Sequence, residues 1–283
     1  MTVTPVPSTR ADSEPLNPGA TGAIAPQPLV TFTVTWEKLP DDFKLDNPPV
    51  DNTGQPLLAA ALRESLEVTG RIQPPMLIAG NFGICATLND TLIIKAPDWL
   101  YIPRVAEPEP SRTRKSYTPN LEGDNPTLVM EFLSDKDDEE YSVRRVPPVG
   151  KWFFYEQILQ VPIYVIFEPE SGLLEVYRLT NGHYTLEQPD FNGRHWIEEM
   201  RLFLGTWRGL KADREGYWLR WWDEQEQLLP WGVEKVEAVQ QQAELERQRA
   251  EEERQRAEQE RQRAEQLASY LRSQGIDPDH LPQ

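Results

Sequence analysis

Apolar and polar residues follow two different periods near the start of the chain. In residues 30–36 (VTFTVTW) apolar side chains alternate with threonines, which predicts a strand. In residues 56–69 apolar side chains recur at helical spacing, so that Leu58, Leu62 and Leu66 share one face. These patterns predict a strand followed by a helix.

Beyond Gly70 the apolar residues form short runs separated by turn residues, as is typical of strands. The runs are, in chain order, ICATL, TLIIKA, DWLYI, TLVMEFL, IYVIF and LLEVYRL. Residues 151–159 (KWFFYEQIL) lie between the fourth and fifth runs and are long enough for a helix. The order of strand, helix and strand predicts an α/β core with at least one crossover.

Aromatic residues are concentrated in residues 195–231, which hold a large share of the nine Trp. Aromatic groups at this density can stack on nucleic-acid bases, but Trp at alternating strand positions is more typical of a buried core. We therefore predict a C-terminal aromatic hairpin that covers the sheet.

A heptad repeat follows, with ERQRAEE and then two copies of ERQRAEQ. Alanine recurs every seven residues from Ala243 to Ala264, at one of the two seam positions of the heptad. Glutamate occupies the second seam position in most of the heptads. A coiled coil needs large apolar side chains at both seam positions. The repeat therefore favours a charged single helix, or an arm that forms weak homo-oligomers, over a tight dimer.

These patterns divide the chain into four predicted segments. Residues 1–28 are rich in Pro, Ser, Thr and Ala and are predicted to be a disordered lead, because they cannot bury enough apolar surface to become ordered. We predict the α/β domain in residues 29–235, the charged helix in 236–274 and a short tail in 275–283.

The chain is strongly acidic, since 46 Asp and Glu against 29 Lys and Arg give 283 residues a net charge of −17. Such a surface repels phosphate, so a nucleic-acid function requires a locally positive cleft. The single Cys85 excludes an internal disulfide and a thiolate metal cage, and it fits a small core residue in a reducing compartment. No apolar run approaches the roughly 20 residues that span a bilayer, and no secretory signal is evident, which predicts a cytoplasmic protein without membrane attachment.

Two carboxylates are placed at predicted strands. Glu131 stands inside TLVMEFL, and a buried carboxylate is very costly unless it is paired or binds a metal. Asp98 directly precedes the run WLYI. Carboxylates on adjacent strands can share one hard divalent cation, and Mg²⁺ typically takes one or two of them together with water and phosphate oxygens. The pair predicts a Mg²⁺ site, with Mn²⁺ as a substitute.

Lys151 opens the predicted helix, where the helix dipole disfavours a cation, so a purely local structural role is weakly supported. Near a metal-bound water and a phosphate, a lysine would help to activate the nucleophile or neutralise charge in the transition state. The alternative is a Glu131–Lys151 ion pair in an ordinary α/β fold with Asp98 on the surface, and the spacing favours neither interpretation. Glu64, beside the apolar face of the first helix, is either an accessory ligand or a surface carboxylate.

Other candidate residues carry weaker signals. The acidic run 135–140 (DKDDEE) lacks the glycine and the spacing of a calcium loop, and we interpret it as a solvated loop beside the site. His183, His195 and His280 are scattered without the spacing of zinc ligands. The sequence contains neither G-x-G-x-x-G nor a P-loop motif for nucleotides.

Several segments in a fixed order resemble one known family. They are APDWLYIP, VMEFLS, GKWFFYEQILQVPIYVIFEPESGLLEVYRL, the R-Q-R-A-E-Q repeat and the GIDPD ending. Over residues 56–283 this order resembles the Uma-type restriction endonuclease family of the PD-(D/E)XK nuclease superfamily. The resemblance implies a restriction-endonuclease-like mixed sheet flanked by helices, with Mg²⁺-dependent hydrolysis of DNA phosphodiester bonds as the activity.

The resemblance also implies roles for single residues. Asp98 matches the aspartate of the P-D element and Glu131 the glutamate of the second strand, both as metal ligands. Leu133 stands where the superfamily has its catalytic lysine, two residues after the glutamate. Lys151, on the following helix, is the natural match for that lysine.

The first functional hypothesis is therefore a metal-dependent endonuclease that acts on DNA. The second is a non-catalytic nuclease-fold scaffold that acts in protein interaction through its heptad tail, which the net charge and the repeat favour. A third is a nuclease that works only in a larger assembly, where a basic partner contacts the phosphates.

Overall fold

The computed structural model describes, of the 283 residues, 33–37, 54–106, 114, 116–133 and 140–275. The predicted disordered lead, His280 and residues 135–139 of the acidic run lie outside these ranges.

The described strands are, in chain order, β1 (Val34–Thr35), β2 (Leu77–Ala79), β3 (Gly83–Leu88), β4 (Thr91–Lys95), β5 (Trp99–Ile102), β6 (Ser116–Tyr117), β7 (Leu128–Phe132), β8 (Ile163–Glu168), β9 (Leu173–Thr180), β10 (His183–Leu186), β11 (Arg194–Ile197), β12 (Leu202–Lys211) and β13 (Arg214–Trp222). The described helices are α1 (Gln55–Val68), α2 (Lys151–Phe153) with a π-helical continuation (Phe154–Ile158), and α3 (Gly232–Ser273). The helices predicted over 56–69 and 151–159 are confirmed.

A six-stranded mixed sheet forms the centre, in the strand order β10-β9-β8-β7-β5-β2. β7 and β8 are parallel and are joined by the crossover that contains α2, whereas the other neighbouring strands are antiparallel. Every residue of β7 and all but the last of β8 are buried, as expected for central strands covered on both faces. The predicted α/β fold, a mixed sheet flanked by helices with a charged C-terminal helix, is confirmed.

α1 covers one face of this sheet. Its leucines Leu58, Leu62 and Leu66 are buried in one cluster with Trp99 of β5 and Met130 of β7. Full burial of a leucine side chain contributes roughly 1.5 to 3 kcal/mol, so this apolar face is enough to hold the helix on the sheet.

A three-stranded antiparallel sheet, β11-β12-β13, packs on α1. The Trp221 indole N–H donates to the carbonyl of Leu62 at 3.3 Å, and that of Trp231 donates to Ala61 at 3.0 Å. Four of the six Trp in residues 195–231 are buried as predicted, and Trp196 and Trp207 are partly buried. This three-stranded sheet packs on α1 and also contacts the central sheet directly, through a ring contact of 5.9 Å between Trp221 and Trp99 and a hydrogen bond from the Arg178 guanidinium of β9 to the Trp196 carbonyl.

A smaller sheet, β1-β3-β4 with β6 beside β3, carries Cys85 in a fully buried strand. Burial raises the pKa of the Cys85 thiol to about 11. The thiol therefore stays protonated at neutral pH, which confirms the prediction of a core residue and argues against a nucleophile.

α3 is 42 residues long and none of its residues is buried. No helix in the described part of the chain combines the length and the apolar character needed to cross a membrane.

A buried arginine anchors the first turn of α3. Arg220 is fully buried, and its guanidinium lies 3.4 Å from the centroid of the Trp231 ring. It donates to both carboxylate oxygens of Glu234, at 3.1 and 2.7 Å, and Glu234 also accepts the backbone N–H of Trp231 at 2.7 Å. Glu234 thus both neutralises the buried charge and caps the helix.

Replacing Glu234 with Ala should lower the free energy of unfolding by about 3 kcal/mol, because Arg220 would remain buried without its counter-charge and the helix would lose its cap. Urea unfolding followed by Trp fluorescence measures the change. Glu237→Ala, which removes an exposed carboxylate one turn further on, should change it by less than about 0.5 kcal/mol. Equal losses in the two variants would contradict the anchoring role.

Candidate active site

Asp98 and Glu131 meet where β5 and β7 pair. β5 and β7 are antiparallel neighbours, with Trp99 opposite Met130. Asp98 directly precedes Trp99, and Glu131 directly follows Met130. The two carboxylate residues therefore stand at the same end of this strand pair, and the two strands are adjacent as the sequence predicted.

The Asp98 side chain is held at the end of β7. Its Oδ2 accepts the backbone N–H of Phe132 at 2.6 Å, while the Gln55 amide at the start of α1 donates to the Phe132 carbonyl at 2.8 Å. A cavity of about 270 Å³ adjoins Asp98 between α1, β2 and β5. Gly80 lines it, and a Cβ there would lie 2.6 Å from the Asp98 carbonyl oxygen. A ligand therefore has room beside this residue.

Glu131 is fully buried and both its oxygens are occupied. Oε2 accepts from Nζ of Lys151 at 3.1 Å, and Oε1 accepts from the hydroxyl of Tyr155 at 2.8 Å. Burial raises the pKa of the Glu131 carboxyl, and the neighbouring Lys151 and Tyr155 offset only part of that rise. A positive charge placed beside Glu131 would favour its ionised form.

Lys151 bridges two carboxylates. Besides Glu131, its ammonium donates to Oε1 of Glu140 at 2.9 Å. Burial lowers the pKa of Lys151, but the two carboxylates outweigh that effect and the net direction is upward. The lysine is thus held as a cation at neutral pH, and its position is set by two carboxylates rather than one.

Glu140 corrects the interpretation of the acidic run as a solvated loop. The residue is only 3% exposed, and its backbone carbonyl accepts the Tyr164 hydroxyl at 2.9 Å. Its second carboxylate oxygen is buried and finds no hydrogen-bond partner among the described residues. The other acidic residues of the run lie outside the described ranges, so the correction concerns Glu140 alone.

Local sequence explains why Lys151 starts a helix at this place. Gly150 precedes it, and a Cβ on Gly150 would come 2.0 Å from the carbonyl oxygen of Ser142, so only glycine allows this close approach. The helix then widens into one π-helical turn, which buries Tyr155 four residues after Lys151. Residues at this spacing share a helix face. The i, i+4 spacing was therefore a signal for Tyr155 that the sequence analysis did not use.

The structure brings together Asp98, Glu131 and Lys151 and adds Glu140 and Tyr155 to them. The Glu131–Lys151 ion pair of the alternative interpretation is present, but Asp98 lies beside it and is only partly exposed. No group of three or more His, Cys, Asp or Glu side chains in the described ranges is arranged to hold a metal ion.

The remaining candidates lie elsewhere. Glu64 contacts Nζ of Lys211 at 2.5 Å and accepts the backbone N–H of Gly232 at 2.8 Å, so it supports the base of α3 and takes no part in the site. His195 is buried beside Glu187 at 3.3 Å, and burial lowers its pKa. His183 is exposed on β10.

Comparison with known proteins identifies the class. The α/β core, with its carboxylates and partly buried lysine, is matched over residues 52–212 by the model of the Uma2 family, described as “putative restriction endonuclease”. This range exceeds half of the chain, and the chain belongs to the Uma2 family. The match contains all five site residues and ends before α3. No curated protein matches the chain.

The raised pKa of Glu131 makes a prediction for stability. Because the folded protein retains this proton to a higher pH than the unfolded chain, stability is lost as pH rises above the ordinary value of 4.5. From about pH 5 to about pH 8 without divalent metal, the unfolding free energy of Glu131→Gln should therefore increase relative to that of the native chain. Urea titrations at each pH measure this difference.

The matched control is Glu252→Gln, which removes an exposed carboxylate on α3. Its difference from the native chain should stay constant over the same pH range. A constant difference for Glu131→Gln as well would show that the buried carboxyl titrates like an exposed one.

Proposed function

We propose that the chain is a Mg²⁺-dependent endonuclease that hydrolyses DNA phosphodiester bonds, with Asp98 and Glu131 as metal ligands and Lys151 as the catalytic cation. The observation that carries the proposal is the fully buried Glu131 carboxylate, which is bonded to Lys151 and directly precedes Phe132, the residue whose N–H binds Asp98. Membership of a family described as a restriction endonuclease supports it.

The residues fit a hard divalent cation. Their donor atoms are carboxylate oxygens, which Mg²⁺ prefers, and one or two protein carboxylates are its usual share. When ionised, Asp98, Glu131 and Glu140 carry three negative charges against one from Lys151. The excess of two negative charges would be neutralised by one divalent cation. The Glu140 oxygen that has no hydrogen-bond partner among the described residues would also be stabilised by a cation.

Each side chain has a separate task. Bound Mg²⁺ would supply Lewis acidity and a water of lowered pKa. The Phe132 N–H orients the Asp98 carboxylate, and the Tyr155 hydroxyl orients Glu131. Lys151, kept protonated by its two carboxylates, stabilises the negative charge that develops on the phosphate oxygens in the transition state.

Cleavage of plasmid and single-stranded DNA with Mg²⁺ or Mn²⁺ tests the proposal. Glu131→Ala, Asp98→Asn and Lys151→Met should each reduce the rate by roughly 10²-fold or more, because each removes a group that acts in the transition state. EDTA should abolish cleavage. Mg²⁺ should raise the melting temperature of the native chain but not that of Glu131→Ala, since a ligand that binds only the folded state stabilises it.

Glu64→Gln is the matched control, because Glu64 contacts α3 and not the site. It should cleave at the native rate per folded molecule. Unchanged cleavage and unchanged metal stabilisation in Glu131→Ala would overturn the proposal.

A second candidate function is protein interaction through α3. Its 42 residues contain no buried side chain, and the helix lies outside the family match. The anchoring contacts involve its first turn, where Glu234 binds Arg220 and Nζ of Lys235 donates to the carbonyl of Val68 at 3.0 Å. The rest of the helix is therefore available to another molecule.

This second function predicts that a chain without residues 240–283 loses self-association and partner capture while its melting temperature changes little. Sedimentation velocity over a concentration series and capture from a lysate measure the first effect, and thermal unfolding measures the second. Association that persists in the shortened chain would count against the arm.

A further inference from the structure

A positive segment borders the candidate site of this acidic chain. Between Glu140 and Glu156 the sequence carries Arg144, Arg145 and Lys151 and no acidic residue, a net charge of +3 in a chain of −17. The sequence analysis required a locally positive cleft for any nucleic-acid function. Lys151 is paired with Glu131 and Glu140, so the positive charge that this segment adds beside the site comes from Arg144 and Arg145.

Residues 141–150, here named the basic loop, are held by contacts of their own. The N–H of Gly150 donates to the Arg144 carbonyl at 2.9 Å, and the Arg144 guanidinium donates to the Pro147 carbonyl at 3.1 Å. The Arg145 guanidinium lies 5.7 Å from the centroid of the Phe153 ring. A loop ordered in this way loses little conformational entropy when it binds a partner.

The basic loop presents its side chains to solvent. Arg144 and Arg145 are exposed, and the flanking Val143 and Val146 are 62% and 61% exposed. Arginine guanidinium groups suit phosphate oxygens, and exposed valines can contact the apolar surfaces of sugars and bases. The exposed surface therefore combines both kinds of contact that a DNA strand offers.

Both ends of the basic loop are joined to the site. Glu140 directly precedes it and Lys151 directly follows it, and their side chains are bonded to each other at 2.9 Å. A DNA strand whose phosphate reaches Lys151 would pass this loop, and no acidic side chain of the loop would repel it.

We propose that the basic loop is the DNA-docking surface of the chain, where Arg144 and Arg145 bind backbone phosphates next to the reacting phosphate. This inference rests on the proposed nuclease function and adds the residues that hold the substrate. Phosphate contacts of this kind position the strand and carry no sequence information by themselves.

The test measures DNA binding without cleavage. Fluorescence anisotropy with a labelled duplex and with its single strand, in EDTA and at about 50 to 200 mM NaCl, gives the slope of log K against log salt concentration. In the double variant Arg144→Gln/Arg145→Gln this slope should fall by about 2, because each lost phosphate contact removes about 1. Arg144→Lys/Arg145→Lys should keep most of the slope, since it keeps the charge.

The matched control is Arg247→Gln/Arg249→Gln, which removes the same charge from exposed positions of α3. It should leave the slope unchanged. An equal fall in this control would show that net charge alone governs binding, and absence of salt-dependent binding by the native chain would also overturn the inference.

The outcomes separate this inference from the proposed function. Salt-dependent binding through the loop without metal-dependent cleavage would support the docking surface and reject the nuclease. Cleavage with native KM and native salt slope in Arg144→Gln/Arg145→Gln would support the nuclease and reject the docking surface.

Discussion

The ammonium of Lys151 offsets part of the energetic cost of burying two carboxylates in this protein. Glu131 and Glu140 both approach it, and each lies almost entirely out of solvent. Two unit charges 4 Å apart interact by about 4 kcal/mol at an effective dielectric of 20, so like charges in such a place need a shared counter-ion. Lys151 neutralises only one of them. Burial is the main cause of the raised pKa of Glu131, and the nearby negative charge of Glu140 adds to it.

α1 connects this site to the C-terminal half of the chain. Its first residue, Gln55, bonds the end of β7 beside Asp98, and its middle turns receive the indoles of Trp221 and Trp231. Further along, Glu64 supports the base of α3. The helix is therefore covered on several sides and serves as common support for the carboxylates, the aromatic sheet and the exposed arm. A change in the packing of α1 is therefore expected to disturb the carboxylates, the aromatic sheet and α3 together.

Charge is distributed unevenly in a way that matters for substrate binding. A chain of net charge −17 repels DNA at long range, and salt weakens that repulsion over a Debye length of about 8 to 10 Å. Under the proposed nuclease function, contact with DNA would depend on cations close to the site, and the exposed Arg144 and Arg145 supply two of them.

Local sequence patterns were sufficient to predict part of the fold and part of the candidate site. The helical spacing of Leu58, Leu62 and Leu66 marked α1, because one face of a helix must be apolar to pack. A carboxylate within an apolar run marked Glu131, since burial there demands a partner. The spacing that places Tyr155 one turn after Lys151 was equally local, although its meaning depends on where the helix lies.

The rest depended on contacts between distant segments. Glu140 belongs to an acidic run that looks solvated by composition, yet the chain packs against β8 at that residue, and the Tyr164 hydroxyl binds its carbonyl. The aromatic hairpin packs on α1 across 159 residues of sequence, from Trp221 to Leu62. Neither contact leaves a periodic signal, because the energy of burial depends on which surfaces meet and not on the residues nearby in the chain. The sequence pattern thus specified the helices, the strands and one buried carboxylate. Tertiary packing determined which side chains surround that carboxylate.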